Sequence, residues 1–308
     1  MFWLTWRQHR LHAAIGGLAL AMLIAALLAT KGAVDGYSLA VATCTTPFLC
    51  GQARDALAHY VGTSPLLQYM LPVVPLLIGI FVGAPLVARE LEQGTHVLVW
   101  TQSITRRRWL AVKLGLLCGL TLPAMGVLAV MMAWWSGHVD AAIGPWVTFD
   151  VHGTAPLAYV LFALALGTTA GIIVRHTVGA MALTLGAVVA ARLAVASGLR
   201  PHFLPPLTAV GSFQPGSALR AWDWVLSLYP VDRLGHPLRQ YMQIAGMCDN
   251  VSRNGYAACL RDHGVFLRTI YQPANRFWLF QGIETAIFLG LAAGLLALTV
   301  WWVRERVA

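Results

Sequence analysis

The sequence predicts an all-α membrane protein with six transmembrane helices, an amphipathic N-terminal helix, and short extracytoplasmic helices between spans five and six. Two features of the composition support this fold class. Of the 308 residues, 58% are hydrophobic and 11% are charged, whereas a soluble domain carries about 25% charged residues. The charges are also segregated, so that long runs contain none, which is typical of membrane spans. Residues 1–308 form a single predicted transmembrane domain.

Six segments reach the length of about 20 apolar residues that a helix needs to cross the hydrocarbon core. They are residues 11–30, 65–88, 110–135, 155–174, 177–198 and 277–303. The first follows Arg7 and Arg10, as the apolar region of a signal peptide also does. Signal peptides have apolar regions of about 7–15 residues and end at a small-residue cleavage site. This segment is longer and has no clear site, so we interpret it as a span.

The distribution of Lys and Arg between the short loops predicts the orientation. Ten lie on the side that holds both termini, and two lie in short loops on the other side. The ten are Arg7, Arg10, Arg89, Arg106, Arg107, Arg108, Lys113, Arg175, Arg304 and Arg306, and the two are Lys31 and Arg54. Because an excess of basic residues marks the cytoplasmic side, we expect both termini in the cytoplasm. The net charge of +9 then reflects topology and anionic headgroups, so we do not expect nucleic-acid binding.

The parts outside the spans are of two kinds. Residues 1–10, MFWLTWRQHR, mix aromatic with basic side chains and fit an amphipathic helix in the inner headgroup layer; a frayed tail held by its tryptophans is the alternative. On the outer side, residues 31–64 and 199–276 are long insertions. Apolar residues recur at helical spacing in the second, which predicts short helices over the outer mouth. They are Leu219, Trp222, Val225, Leu226 and Tyr229, then Cys259, Phe266, Leu267 and Ile270.

Inside the spans, glycines recur at the spacing that lets helix backbones approach closely. The pairs are Gly79/Gly83, Gly115/Gly119, Gly167/Gly171 and Gly290/Gly294. Span two also carries Pro72, Pro75 and Pro85. Proline removes a backbone donor and kinks a helix. We therefore expect close packing between spans and a bend in span two.

The sequence contains no G-x-x-x-x-G-K-[ST], so nothing in it is expected to bind nucleotide phosphates, and it contains no G-x-S-x-G or H-E-x-x-H. We predict no catalytic residues and no metal site. The informative stretch is the cytoplasmic loop between spans two and three, which carries charged residues, then an apolar run, then an arginine cluster. An apolar strip between charged flanks suits a short helix that docks on a cytoplasmic partner; an ordinary positive-inside loop is the alternative. The cluster is Arg106, Arg107 and Arg108, at the inner headgroups.

Three phrases carry a family resemblance: GAPLVARELEQGTH, TQSITRRRWLAVKLG and YQPANRFWLFQGIE. With them, the chain resembles the permease subunits of bacterial ABC exporters of the type-2 class, and actinobacterial members in particular. The resemblance covers essentially the whole chain, although no single motif in it is diagnostic. It implies that two separate ABC ATPase subunits bind ATP and Mg²⁺, that this chain has no cofactor of its own, and that it pairs with a second permease copy or a paralogue. It also implies that residues 90–100 form the coupling helix, with the ATPase-coupling residues Arg89, Glu90, Glu92, Gly94, Thr95, Val97 and Trp100.

On that reading the chain exports an amphiphilic substrate such as a drug, a lipid or a peptide, because the spans offer almost no charge for ions or sugars. The alternative from another class is a membrane-anchored sensor or assembly factor whose extracytoplasmic segment binds a ligand. A membrane enzyme is a third reading. Apart from Lys113 near the inner end of span three, Arg192 and Glu284 are the only charged residues inside the predicted spans, and they lie at matching depth, which predicts an ion pair. Alternatively, Arg192 extends to the interface and Glu284 bonds a neighbouring backbone group.

Four of the five cysteines fall on the predicted outer side, where an even number suggests disulfides. They are Cys44, Cys50, Cys248 and Cys259, and Cys118 lies inside span three. Three connectivities are open; we prefer the adjacent pairs, with free thiols as the alternative.

His138, Asp140, Asp150 and His152 flank one outer loop, and we interpret them as a solvated loop rather than as metal ligands.

Overall fold

A computed structural model describes residues 2–94, 105–212, 222–248 and 253–305 of the chain. Six helical stretches in these ranges are long and apolar enough to cross a membrane. Spans one to six are Ala13–Thr43, Leu66–Glu92, Arg108–Ile143, Ala155–Val174, Thr177–His202 and Ala274–Glu305. We call the end of the bundle at which the chain begins and span six ends the terminal face, and the opposite end the distal face.

Span one belongs to one unbroken helix, Phe2–Thr43, and the next helix, Pro47–Thr63, follows after a short connection. The prediction of an outer loop over residues 31–64 is therefore wrong, and the N-terminal residues are not a separate helix. No proline interrupts the sequence before Pro47. Lys31 and Asp35, which ended the apolar run, instead form an i,i+4 ion pair of 2.7 Å within the helix. Thr46 caps the second helix by accepting a hydrogen bond from the N–H of Leu49.

Span two is not a regular α-helix. It consists of two π-helical turns, Leu66–Met70 and Gly79–Gly83, alternating with two short α-helices, Leu71–Ile78 and Pro85–Glu92. Pro85 has no N–H to donate, and the N–H of Ala84 before it bonds the carbonyl of Gly79, five residues back, at 2.9 Å. Pro72 and Pro85 thus fall at junctions of these pieces, where π-bulges and prolines bend helices, whereas Pro75 lies inside the helix Leu71–Ile78.

The other spans are more regular. Span three belongs to the helix Arg106–Ile143, with Thr105 as its N-cap, and is followed by a 3₁₀ turn, Pro145–Thr148. Span four is Ala155–Val174. Span five is the α-helix Thr177–Leu193, a π-helical segment, Ala194–Leu199, and a 3₁₀ turn, Arg200–His202. Span six is a 3₁₀ turn, Ala274–Arg276, and the α-helix Phe277–Glu305.

Span four lies at the centre of the bundle and packs directly on span two through glycine. A Cβ at Gly167 would lie 2.5 Å from the carbonyl oxygen of Gly79, and one at Gly171 would lie 2.6 Å from that of Ala84. Only glycine allows backbones to approach so closely. Two of the four predicted glycine pairs therefore make one interface. A Cβ on any residue of the other two pairs would meet no described atom within 4 Å.

The distal segment between spans five and six contains a three-stranded antiparallel sheet as well as helices. The strands β1 (Leu207–Ser212), β2 (Trp224–Val231) and β3 (Phe266–Gln272) lie in the order β1-β3-β2. Two short helices, Tyr241–Cys248 and Arg253–Asp262, precede β3. The helix predicted from the spacing of Trp222, Val225, Leu226 and Tyr229 is therefore wrong, and Leu219 of the same pattern lies outside the described residues. The helix predicted through Cys259, Phe266, Leu267 and Ile270 is wrong as well, because the last three lie in β3. A register shift between Val225 and Ser227 interrupts the two-residue alternation of a strand, so the pattern resembled that of a helix.

Aromatic packing fixes this segment to the ends of the spans. Phe149, Phe277 and Phe280 form a buried cluster against which Trp146 and Trp224 pack. The buried Gln272 donates from Nε2 to the carbonyl of Leu204 at 2.8 Å. These contacts anchor the sheet to the distal ends of the spans, beside the charged residues described next.

Candidate functional site

At the terminal end of span two, Glu90 binds the buried Lys113 of span three. The Lys113 Nζ lies 2.5 Å from Glu90 Oε1, donates to the carbonyl of Leu86 at 3.1 Å, and stands 4.7 Å from the centre of the Trp109 ring. Lys113 is only 4% exposed. An ammonium group taken out of water is tolerated only with a close partner, so this pair fixes the end of span two to span three.

Two residues further along, Glu92 binds the beginning of span five. Its Oε2 accepts a hydrogen bond of 2.8 Å from the N–H of Thr177, and its Oε1 lies 3.4 Å from Nε2 of His176. A carboxylate is favourable at the N-terminus of a helix, where free N–H groups and the helix dipole meet it. Glu92 therefore caps span five from a different helix, and the end of span two is held to spans three and five by neighbouring carboxylates.

The remaining predicted coupling residues are only partly described. Arg89 is exposed at the same end of span two. Gly94 has a φ of 69°, and such a left-handed glycine ends a helix. Thr95, Val97 and Trp100 lie outside the described residues. The predicted basic cluster, Arg106–Arg108, forms the first turn of the helix of span three, and the N–H of Arg108 bonds Oγ1 of Thr105 at 3.4 Å.

A second group of charges lies near the distal face. It consists of Asp150, Tyr159, Arg192, Arg200 and Glu284, and we call it the distal ion cluster. Glu284 is fully buried. Its closest partner is Arg200, whose Nε lies 2.7 Å from Oε2 and whose Nη2 lies 2.8 Å from Oε1. Tyr159 donates its hydroxyl to Oε1 at 2.5 Å. Arg192, the predicted partner, reaches the same oxygen from Nη1 at 3.5 Å.

Asp150, in the connection between spans three and four, completes the cluster. Its Oδ1 accepts from Arg200 Nη2 at 2.6 Å and from Arg192 Nη2 at 3.1 Å. Burial by itself would raise the pKa of Asp150, but the charges and hydrogen bonds of the two guanidinium groups outweigh it, so the pKa lies below its ordinary value. Two carboxylates thus balance two guanidinium groups.

The π-helical segment of span five explains how Arg192 and Arg200 meet the same partners. In an α-helix each residue advances about 100°, so side chains eight positions apart would differ by about 80° in direction. Residues Ala194–Leu199 are π-helical, and a π-helix has more residues per turn. Eight positions then come closer to two full turns. The cluster therefore joins spans four, five and six to the connection that holds Asp150.

The sequence missed several members of these sites. Arg200 lay beyond the predicted end of span five, and its partner Asp150 had been assigned to a solvated loop. Two other residues of that loop, Asp140 and His152, lie 3.4 Å apart, while His138 contacts Asp35 at 2.7 Å. The available signal was the position of Asp150 and Arg200 near the ends of predicted spans. Charged residues at that depth usually pair with one another, which could have predicted their contact.

The structure joins Cys44 to Cys50 and Cys248 to Cys259, with Cα separations of 5.2 and 5.9 Å. The first disulfide links span one to the helix Pro47–Thr63, and the second links the two short helices of the distal segment. Cys118 is a free thiol. Both disulfides lie on the distal face and neither contacts the distal ion cluster within the described residues.

Comparison with known proteins identifies the family. The family model of ABC-2 membrane transporter related proteins matches residues 17–200, from span one to the arginine at the end of span five. No curated protein and no solved structure matches the chain. The match covers more than half of the chain and includes the Glu90 and Glu92 contacts and four of the five residues of the distal ion cluster. The chain therefore belongs to the ABC-2 membrane transporter related family and is a multi-pass ABC-2 type permease.

Proposed function

We propose that this permease is the membrane half of an ATP-driven exporter that moves an amphiphilic substrate, such as a drug, a lipid or a peptide, out of the cell. ATP and Mg²⁺ bind to two separate ATPase subunits, and the permease works with a second copy of itself or a paralogue. The ATPases contact the loop that follows Glu92 and the neighbouring Arg106–Arg108 cluster. The observation that carries the proposal is the pair of contacts made by Glu90 and Glu92.

Glu90 contacts span three and Glu92 contacts span five, and both residues lie directly before the loop that the ATPases would move. A displacement of that loop would act on both spans at once. The Glu90–Lys113 contact is shielded from water, so it resists separation, because breaking it would leave a buried charge alone. The contact of Glu92 with Thr177 is exposed and weaker, which suits a contact that changes during each cycle.

Charge reversal tests this role. Glu92→Lys should leave the permease inserted and bound to its ATPases but reduce substrate-stimulated ATP hydrolysis and transport at least tenfold, because a cation is unfavourable at the N-terminus of span five. Glu305→Lys, the same change at an exposed position on the terminal face, is the matched control. Transport assays in proteoliposomes would measure the effect. Wild-type coupling in Glu92→Lys would contradict the proposed route.

The proposal also requires the terminal face to be cytoplasmic. Leu234, which is 82% exposed in the distal segment, and Glu305, which is exposed on the terminal face, can each be replaced by cysteine. An impermeant thiol reagent should label Leu234→Cys in intact cells and should reach Glu305→Cys only after lysis. The reverse pattern would place the loop after Glu92 outside the cell, where no ATPase could bind it.

A further inference from the structure

A cavity of about 510 Å³ opens on the distal face, away from the distal ion cluster. Four parts of the chain surround it: the last turns of span one, the helix Pro47–Thr63, the last turns of span three and Trp222 of the distal segment. The side chains that line it are Asp35, Ser38, Leu39, Val41, Ala42, Arg54, His138, Ala141, Ala142 and Trp222. We call it the Arg54 cavity. Its volume lies in the range of cavities that hold small molecules, about 300–1,000 Å³.

The charges around the cavity leave one cation unbalanced. Asp35 is bound on two sides, by Lys31 Nζ at 2.7 Å and by Nδ1 of His138 at 2.7 Å. Arg54 lies across from this group on the helix Pro47–Thr63 and is exposed. No carboxylate of the described residues lies within ion-pair distance of it. The lining therefore favours a ligand with net negative charge.

Ser38 adds a polar residue to the wall of the cavity. The residue is only 8% exposed, and its hydroxyl has no hydrogen-bond partner among the described residues. A buried hydroxyl without a partner is unfavourable, and a ligand oxygen would satisfy it. The rest of the wall is largely apolar and consists of aliphatic side chains from spans one and three together with Trp222. A ligand with a charged head and an apolar body matches both parts.

The lengths of the surrounding spans predict that the cavity lies at the depth of lipid headgroups. Span one has 31 residues and span three has 36, whereas about 20 cross the hydrocarbon core. The lining residues belong to the distal ends of these helices, beyond the length that the core requires. Trp134, 47% exposed in span three, marks the interface in the way that membrane tryptophans do.

We propose that the Arg54 cavity binds an amphiphile with one anionic phosphate headgroup, which Arg54 and Ser38 contact while the aliphatic wall holds its chain. The ligand is a lipid of the outer leaflet or an exported molecule of the same chemistry. This inference goes beyond the proposed export function, because binding to the permease alone tests it and transport is not needed.

The experiment compares three probes on the purified full-length permease in a neutral detergent, by titration calorimetry. They are dihexanoyl phosphatidylglycerol, dihexanoyl phosphatidylcholine and inorganic phosphate. We expect the anionic lipid to bind at least tenfold more tightly than the zwitterionic one, which has the same chains, and phosphate alone to bind far more weakly. Equal binding of the two lipids would overturn the role of the headgroup charge. Phosphate binding as tight as that of the anionic lipid would overturn the role of the apolar wall.

Variants locate the site. Arg54→Ala should reduce the affinity for the anionic lipid to that for the zwitterionic lipid, and Arg54→Lys should restore most of the difference. Arg233→Ala removes an exposed arginine of the distal segment that does not line the cavity and should change nothing. Ala42→Trp fills the cavity and should lower the affinity for both lipids. The thermal unfolding temperature of this variant should stay the same. Unchanged binding in Arg54→Ala and Ala42→Trp would place the lipid elsewhere.

The two sources are then distinguished with the ATPases present. If the ligand is cargo, ATP should release bound phosphatidylglycerol from the wild-type complex. If it is a lipid of the bilayer, mass spectrometry should find phospholipid carried through purification by the wild type and lost from Arg54→Ala, with no effect of ATP. Either result supports the site, and neither depends on export of a known substrate.

Discussion

Arg200 and Glu284 form a two-point ion pair at the distal ends of spans five and six, with Nε 2.7 Å from Oε2 and Nη2 2.8 Å from Oε1. Glu284 is fully buried and Arg200 is 7% exposed. A planar guanidinium group matches a carboxylate in this geometry better than any other side chain. Arg192 contacts the same carboxylate from a longer distance and through one nitrogen, so Arg200 is the principal partner.

A double-mutant cycle should rank the two arginines. Glu284→Gln and Arg200→Met should each destabilise the permease by about 3 kcal/mol, because each leaves a buried charge with fewer partners. The double mutant should lose about 2 kcal/mol less than the sum of the two. The cycle of Glu284→Gln with Arg192→Met should show a smaller coupling free energy. Unfolding in mixed detergent micelles would measure the free energies for both cycles. Equal coupling energies would contradict Arg200 as the principal partner.

The low pKa of Asp150 predicts an acid-sensitive fold. Folding lowers the pKa because Arg200 and Arg192 stabilise the charged carboxylate, so the contribution of Asp150 to stability is complete above its unfolded pKa of about 3.9. It is lost as the pH falls through the lower folded value. The unfolding temperature should therefore drop below about pH 4. Over that pH range, the unfolding temperature of Asp150→Asn should fall less steeply than that of Asp55→Asn. The second variant is the control, because it changes an exposed carboxylate on the same face.

Replacing glycine by alanine should lower stability at the tight interface between spans two and four but not on the open surface of span six. Gly167→Ala would place a Cβ 2.5 Å from the Gly79 carbonyl oxygen, and such overpacking costs about 1–3 kcal/mol. Gly290→Ala in span six meets no described atom within 4 Å and should be neutral or stabilising, because alanine favours the helix. Thermal unfolding of the two variants would measure the difference. Similar losses in both would show that the backbones of spans two and four do not touch.

The disulfides predict a simple result in peptide mapping. Digestion without reductant should release Cys44 linked to Cys50 and Cys248 linked to Cys259, whereas Cys118 should react with a thiol reagent only after denaturation because it lies half-buried in span three. Free thiols at the four distal positions, or crossed pairs, would contradict the structure. Reduction of the first disulfide would release the end of span one from the helix Pro47–Thr63.

The six spans could be predicted because long apolar runs have few alternatives to crossing a membrane. The positions of their distal ends could not be predicted. Lys31 and Asp35 appeared to end span one, yet they neutralise each other one turn apart and the helix continues. Arg200 joined the ion cluster only because span five changes to a π-helix before it, and no local sequence pattern indicates such a change.

The distal sheet was not predicted because a local irregularity of the backbone changed the sequence pattern. One bulge in β2, between Val225 and Ser227, shifts the alternation of side chains, so that a strand carries the spacing expected of a helix. The predicted ion pair of Arg192 and Glu284 followed from depth alone. Depth identified the two charges but gave no information on Asp150 and Arg200, which lie beyond the predicted ends of the spans.

The contact of Gly79 and Ala84 with Gly167 and Gly171 has a mechanical consequence. Only backbone atoms and the methyl groups of Ala163 and Ala88 lie closest to these glycines, so no long side chain there can rotate aside to let one helix slip past the other. We therefore expect the two spans to move together as a single strut. One end of that strut carries Glu92, beside the loop assigned to the ATPases, and the other carries Tyr159, bonded to Glu284. If the proposed ATPases displace that loop, we expect the displacement to reach the distal face, on the opposite side of the membrane.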